Sequence, residues 1–105
     1  ALQMVQQMLA DMAMATEASR LLVWKAAASQ MDGAKNAGVI ASMAKCFASD
    51  TAMRVSTDAV QIMGGAGYSK EAPLEKYMRD AKVMQIFEGS NQVQRGIIAG
   101  GLKFT

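Results

Sequence analysis

Residues 2–31 contain no glycine or proline, and their apolar side chains recur at a helical interval. Val5, Met8, Met12, Ala15, Leu22 and Ala26 fall on one stripe, with Leu9, Leu21 and Met31 beside it. The pattern predicts a helix of about 30 residues, roughly 45 Å long at 1.5 Å per residue. Asp32-Gly33-Ala34-Lys35-Asn36 then reads as a tight turn, with Gly33 as a C-cap and Asn36 as a candidate N-cap. A second long helix is expected over residues 37–63, with Val39, Met43, Cys46, Phe47, Ala52, Val55, Ala59 and Ile62 facing inward. It should stop at Gly64-Gly65, and Gly67 beyond them argues against further helix in this stretch. Pro73 suits the first position of a third helix, expected to run to about Val83. After a short connection from Met84 to Gly89, Ser90 is placed to cap a last helix from Asn91 to about Phe104. Two long helices and two shorter ones, closely joined, predict an all-α, antiparallel up-and-down four-helix bundle. The pattern is already helical at Ala1 with no cap before it, so the expectation is a piece of a longer polypeptide, a bundle truncated at its N-terminus.

Composition agrees with helices. The chain has 105 residues, 51% of them apolar and 19% charged, with ten methionines and a single proline. That suffices for one domain with a core. Methionine at helical spacing reads as flexible packing material. The formal charge is +2, with basic and acidic residues interspersed and no basic stripe with interleaved aromatics, so nucleic-acid binding is not expected. No apolar run has the length of a membrane span. Cys46 has no second cysteine to pair with and reads as a small buried group among alanines. Histidine is absent, which removes His-dependent metal sites and Ser-His or Cys-His catalysis from the 105 residues.

Two stretches carry candidate chemistry. Gln61-Ile62-Met63-Gly64-Gly65 ends the second helix with glycines that can let a backbone approach a phosphate, yet the same glycines read equally as a helix stop. They do not form the dinucleotide-binding fingerprint. Ile86-Phe87-Glu88-Gly89-Ser90 sets a loop carboxylate after two apolar residues and before a glycine and a capping hydroxyl. A carboxylate held among apolar groups loses solvation and becomes a better general base. Gly89 leaves room for a ligand beside the backbone, and free N–H groups at the start of a helix can hold a carbonyl or a cofactor. Read from these residues alone, Glu88 is either such a base or an exposed loop acid, and Ser90 either a contact or only a cap. Arg79, Asp80 and Lys82 read as structural, tying the third helix to its neighbours, and Arg95 likewise.

From Gln61 to Phe104 the chain reads QIMGGAGYSKEAPLEKYMRDAKVMQIFEGSNQVQRGIIAGGLKF, and this resembles the C-terminal signature of the acyl-CoA dehydrogenase family in order and spacing. LADMAMATEASRLLVWKAA and ASMAKCFASDTAMRVSTDAVQ resemble the two long helices that precede it in the family, so the resemblance covers essentially the whole of residues 1–105, as a C-terminal helical domain. It implies an FAD-dependent enzyme that oxidises an acyl-CoA thioester to the trans-2-enoyl-CoA. Glu88 matches the catalytic base, and Gly89 a position against the substrate. Ser90, Asn91 and Gln92 match the segment that contacts FAD. Gln61, Gly64 and Gly65 match a segment that contacts the ADP part of FAD, usually from a neighbouring subunit. Ser90 stands where threonine is common and Phe87 where tyrosine is common. Some branches of the family draw the base from an earlier helix, and a glutamate in this slot speaks against them. The resemblance further implies acyl-CoA as substrate, an electron-transfer flavoprotein as electron acceptor, a homotetramer, and a bacterial cytoplasmic or mitochondrial matrix setting. Two other readings stay open: an acyl-CoA oxidase, and a helical oligomerisation module without activity. For residues 1–105 alone, the expectation is no turnover.

Overall fold

The computed structural model describes residues 2–68 and 73–102. Its order is α1 (Leu2–Met31), α2 (Ala37–Met63), a short α3 (Gly65–Tyr68), α4 (Pro73–Met84) and α5 (Asn91–Gly101), and no strand occurs among the described residues. The molecule is thus all-helical, with four substantial helices. Its longest extent of 48 Å matches the length of α1. The expected end of the last helix at Phe104 lies outside the described residues.

The turn from α1 to α2 is built by backbone chemistry. Gly33, at φ +66°, donates to Gln30 O at 3.2 Å, and Ala34 donates to Ser29 O at 2.9 Å. These are the two bonds of a Schellman stop, so Gly33 ends α1 as its sequence position predicts. Asn36 stands at the N-cap of α2, but its side chain makes no capping bond. The backbone takes its place, with Ala37 N–H on Ala34 O at 3.1 Å.

α2 is the hub. It packs against α1, α3, α4 and α5, whereas α1 packs only against α2. Where α1 meets α2, the core is Ala26, Ile40 and Ala44 with Leu22 against them. The stripe Val5, Met8, Met12, Ala15, Leu22 and Ala26 is buried or half-buried as its spacing predicts. On α2, Phe47, expected inward, is instead 41% exposed, and on α1 the residues flanking the stripe are exposed too, Leu21 at 59%, Met31 at 87% and Leu9 as well. On α1 the reason is geometric, because only one helix lies against α1 and an apolar side chain off that single seam meets no neighbour.

Beyond Gly64 the chain departs from expectation. Gly64, at φ +67°, ends α2, yet Gly65–Tyr68 coil again into one turn of helix. That turn lies close over the end of α2: a side chain at Gly67 would sit 2.7 Å from Met63 Cβ and 2.9 Å from Val60 O. A single left-handed glycine therefore makes the stop, and Gly67 serves close approach instead. On α4, Arg79 pairs with Glu75 at 2.9 Å and Lys76 with Asp80 at 2.8 Å. Both pairs lie within the helix, so Arg79 and Asp80 brace α4 itself and do not tie it to its neighbours. No helix of the described residues is long and apolar enough to cross a membrane.

Candidate functional site

The loop after α4 is compact because its backbone bonds close it. Gln85 N–H reaches Lys82 O at 3.1 Å, Ile86 and Phe87 N–H both reach Val83 O at 3.0 Å, and Asn91 N–H returns to Gln85 O at 3.0 Å. To turn back within so few residues, two consecutive residues take left-handed backbone, Glu88 at φ +55° and Gly89 at φ +82°. Glycine adopts this freely. A residue with a Cβ does so at roughly 1–2 kcal/mol, and Glu88 is alone among the described non-glycine residues in doing it.

Side chains hold both strained peptides by their carbonyls. Lys45 Nζ, from the middle of α2, donates to Gly89 O at 2.8 Å. Gln94 Nε2, one turn into α5, donates to Glu88 O at 3.1 Å and reaches Gly89 O at 3.5 Å. The Glu88 N–H has no partner among the described residues. Ser90 caps α5, its hydroxyl accepting from Val93 N–H at 3.3 Å.

Beneath the turn lies a polar node. Asn91 is only 4% exposed. Its Oδ1 accepts from Lys45 Nζ at 2.6 Å, and its Nδ2 donates to Asp50 Oδ1 at 2.6 Å and Ser49 Oγ at 2.8 Å. Asp50 also accepts from Gln85 Nε2 at 2.8 Å and pairs with Arg95. Burial works against the Asp50 charge, but the hydrogen bonds from Arg95, Asn91 and Gln85 outweigh it and hold the carboxyl below its ordinary range. Neighbouring Cys46 is buried, as its alanine-rich setting predicts, and that burial pushes its thiol up despite the nearby Arg95. Arg95 thus has the structural role read for it, joining α5 to α2.

The structure brings Glu88, Gly89, Ser90, Asn91 and Gln92 together on one turn and the start of α5. A polar recess of about 260 Å³ opens beside them, lined by Asp50, Lys82, Ser90, Gln92 and Arg95 among others. It does not bring Gln61, Gly64 and Gly65 to that turn. They are exposed at the far end of α2, with Gln61 about 16 Å along the helix from Asp50 at 1.5 Å per residue. Nor does this chain wrap the Glu88 carboxylate in apolar groups, since Glu88, Ile86 and Phe87 are all exposed. The apolar pair precedes Glu88 in sequence but is itself at least half exposed, Ile86 at 58% and Phe87 at 50%.

Sequence reading missed Lys45, Asp50, Gln85 and Gln94. A signal existed for two of them: Lys45 and Asp50 interrupt an alanine-rich stretch of α2 whose neighbours Ala44, Cys46, Ser49 and Thr51 are buried. A charge on such a face needs a partner.

Comparison with known proteins places this arrangement. Residues 1–103 match the family model described as acyl-CoA dehydrogenase, C-terminal domain, and the chain belongs to that family. It is 56% identical over 100 residues to the probable acyl-CoA dehydrogenase FadE25 of Mycobacterium tuberculosis, across 95% of this chain and 26% of that one. It superposes on butyryl-CoA dehydrogenase of Megasphaera elsdenii with a TM-score of 0.88 and 52% identity, across 93% of this chain and 25% of that one. A chain from structural work on the electron-transferring flavoprotein of Acidaminococcus fermentans gives a TM-score of 0.88 and 54% identity, across 92% and 25%. The 105 residues span about a quarter of the length of these relatives.

Proposed function

We propose that this chain forms the helical, base-bearing part of a flavin-dependent dehydrogenase that converts an acyl-CoA thioester to the trans-2-enoyl-CoA, with Glu88 as the base. The observation that carries the reading is the turn: a glutamate in left-handed backbone, with its own carbonyl and that of Gly89 held and its N–H without a partner among the described residues. The carboxylate accepts the proton from the carbon beside the thioester carbonyl. The free Glu88 N–H is suited to donate to the thioester oxygen, where negative charge develops as that proton leaves. Gly89 presents no side chain to an acyl group alongside.

The residues present fit FAD. At the start of α5 the Ser90 hydroxyl, already accepting from Val93, has its own proton free to donate, and Gln92 exposes an amide. Together with the helix N-terminus they offer a donor set for the polar edge of a flavin. Ser90 and Gln92 would hold it there; when bound, FAD supplies the acceptor for the hydride leaving the β carbon. The side chain of Asn91 is already occupied by Lys45, Ser49 and Asp50, so its part is to seat the segment. Gln61, Gly64 and Gly65 lie too far along α2 to join this turn at the same part of the cofactor, in keeping with contacts to a neighbouring subunit's FAD in a homotetramer. Electrons then pass to an electron-transfer flavoprotein, a partner consistent with the A. fermentans similarity.

The test is Glu88→Gln in the full-length protein. We expect acyl-CoA oxidation to fall by about a thousandfold or more while FAD stays bound; near-normal turnover would sink the assignment. A second expectation concerns residues 1–105 alone. With Glu88 exposed and the two candidate FAD segments apart, they should neither turn over acyl-CoA nor retain flavin, and a yellow preparation would contradict this. Their uncovered apolar side chains should also drive self-association, measurable by sedimentation.

A further inference from the structure

The Glu88–Gly89 pair takes left-handed backbone at a cost borne by Glu88, and the loop's own backbone bonds close the turn without reaching the carbonyls of Glu88 or Gly89. What grips those carbonyls comes from elsewhere. Lys45 reaches the Gly89 carbonyl from α2, across 44 positions of sequence, and Gln94 reaches the Glu88 carbonyl from α5. Lys45 is itself aimed by Asn91 Oδ1, and Asn91 is fixed by Ser49 and Asp50. Gln94 packs so closely that a side chain at Gly89 would lie 2.8 Å from its Nε2. Two donors from two helices therefore pin two successive peptide planes. Phe87 N–H on Val83 O holds the peptide before this stretch and Gln94 holds the one after Glu88, so the intervening peptide that carries the free Glu88 N–H, and the Cα from which the carboxylate projects, are bracketed between fixed planes.

We propose that Lys45 and Gln94 are positioning residues for Glu88: by gripping the carbonyls of Gly89 and Glu88 they set the direction in which the carboxylate and the Glu88 N–H face the substrate. The proposal rests on Glu88 being the base. Neither residue touches the reacting atoms. Release of either grip lets the turn relax toward ordinary backbone and swings the carboxylate away from the α carbon. Misplacement by about 1 Å costs on the order of a hundredfold in rate.

The experiment uses the full-length, flavin-loaded enzyme with a saturated acyl-CoA, and compares wild type, Glu88→Gln, Lys45→Met, Lys45→Arg, Gln94→Leu and the Lys45→Met/Gln94→Leu double variant. Three quantities are read: kcat, KM, and exchange of the substrate's α proton with deuterium oxide under anaerobic conditions, which reports the base directly. For Lys45→Met and Gln94→Leu we expect kcat and α-proton exchange to fall together by about tenfold to a hundredfold. KM should stay within about threefold, with flavin content unchanged, because uniform binding is untouched. Lys45→Arg, which keeps a cationic donor, should recover at least part of the loss. Gln94 is at the surface of α5, so its variant keeps the test decisive even where Lys45→Met disturbs folding by stranding Asn91. A double variant whose kcat and α-proton exchange lie within twofold of wild type, beside an inactive Glu88→Gln, would overturn the clamp and leave the base assignment standing. Turnover that survives in Glu88→Gln would overturn the base assignment and the clamp with it.

Discussion

α2 meets α1 and α5 by opposite means. Against α1 it uses small apolar groups, Ala26, Ile40 and Ala44, and among the described residues no side chain anywhere is fully sealed from solvent. Against α5 it uses Lys45, Ser49 and Asp50 on Asn91 and Arg95, a contact in which nearly every polar atom has a named partner. The apolar seam tolerates sliding, because one methyl serves about as well as another. The polar node does not, because each donor has one acceptor within reach. The half of the molecule that carries the Glu88–Gly89 turn is the half specified by hydrogen bonds.

Substitutions can break or sharpen this contrast. The largest effect should come from Asn91→Ala, which leaves Lys45, Ser49 and Asp50 without their shared partner in a buried setting; we expect a loss of about 3 kcal/mol, read from urea unfolding by circular dichroism. Ile40→Ala in the apolar seam should cost less, about 2 kcal/mol, since small neighbours such as Ala26 and Ala44 let the seam close part of the cavity. If Ile40→Ala proved the costlier of the two, the ranking of polar over apolar contact would be wrong.

Acid should act on the node in particular. The Asp50 carboxyl lies below its ordinary range in the folded chain. Its stabilising contribution is therefore complete above the unfolded value of about 3.9 and disappears as pH falls through the lower folded value. Amide exchange around Gln85–Gln94 should rise below about pH 4 before that of α1, and Asp50→Asn should abolish the difference. The smallest effects concern caps. Ser90→Ala should cost about 1 kcal/mol, whereas Asn36→Ala, with no capping bond to lose, should stay within about 0.5 kcal/mol. Equal losses at the two positions would remove the distinction.

Much of the fold was legible because the punctuation is local. Gly33, Gly64, Pro73 and Ser90 place helix ends to within a residue, and the period of α1 identifies its buried stripe. The exposure of Leu9, Leu21 and Met31 was not legible: α1 carries apolar residues well beyond one seam, and only the count of helices lying against it decides which are covered. The extra turn at Gly65–Tyr68 was hidden because glycines that permit a stop also permit close packing. Within the candidate site, Glu88, Gly89 and Ser90 stand in one contiguous motif that the sequence singles out, while the residues alone left the part each plays open between two readings. Gln85 and Gln94 could not be singled out, and Lys45 and Asp50 signalled only that a partner was needed, not which one, since the bonds of α2 to this loop join positions up to 46 apart and leave no periodic trace.

That separation also has a bearing on the order of folding. Bringing Lys45 to Gly89 closes a loop whose entropic cost, taken as (3/2)RT ln n, is about 3 kcal/mol, whereas the α1–α2 hairpin needs only its Schellman turn. The hairpin can form early from neighbouring contacts, and the long-range docking that shapes Glu88 must come after it. A chain interrupted partway would hold helices but no ordered Glu88 turn. The Glu88 turn is in this sense the last part of the domain to take shape, and the first to be lost when α5 lifts from α2.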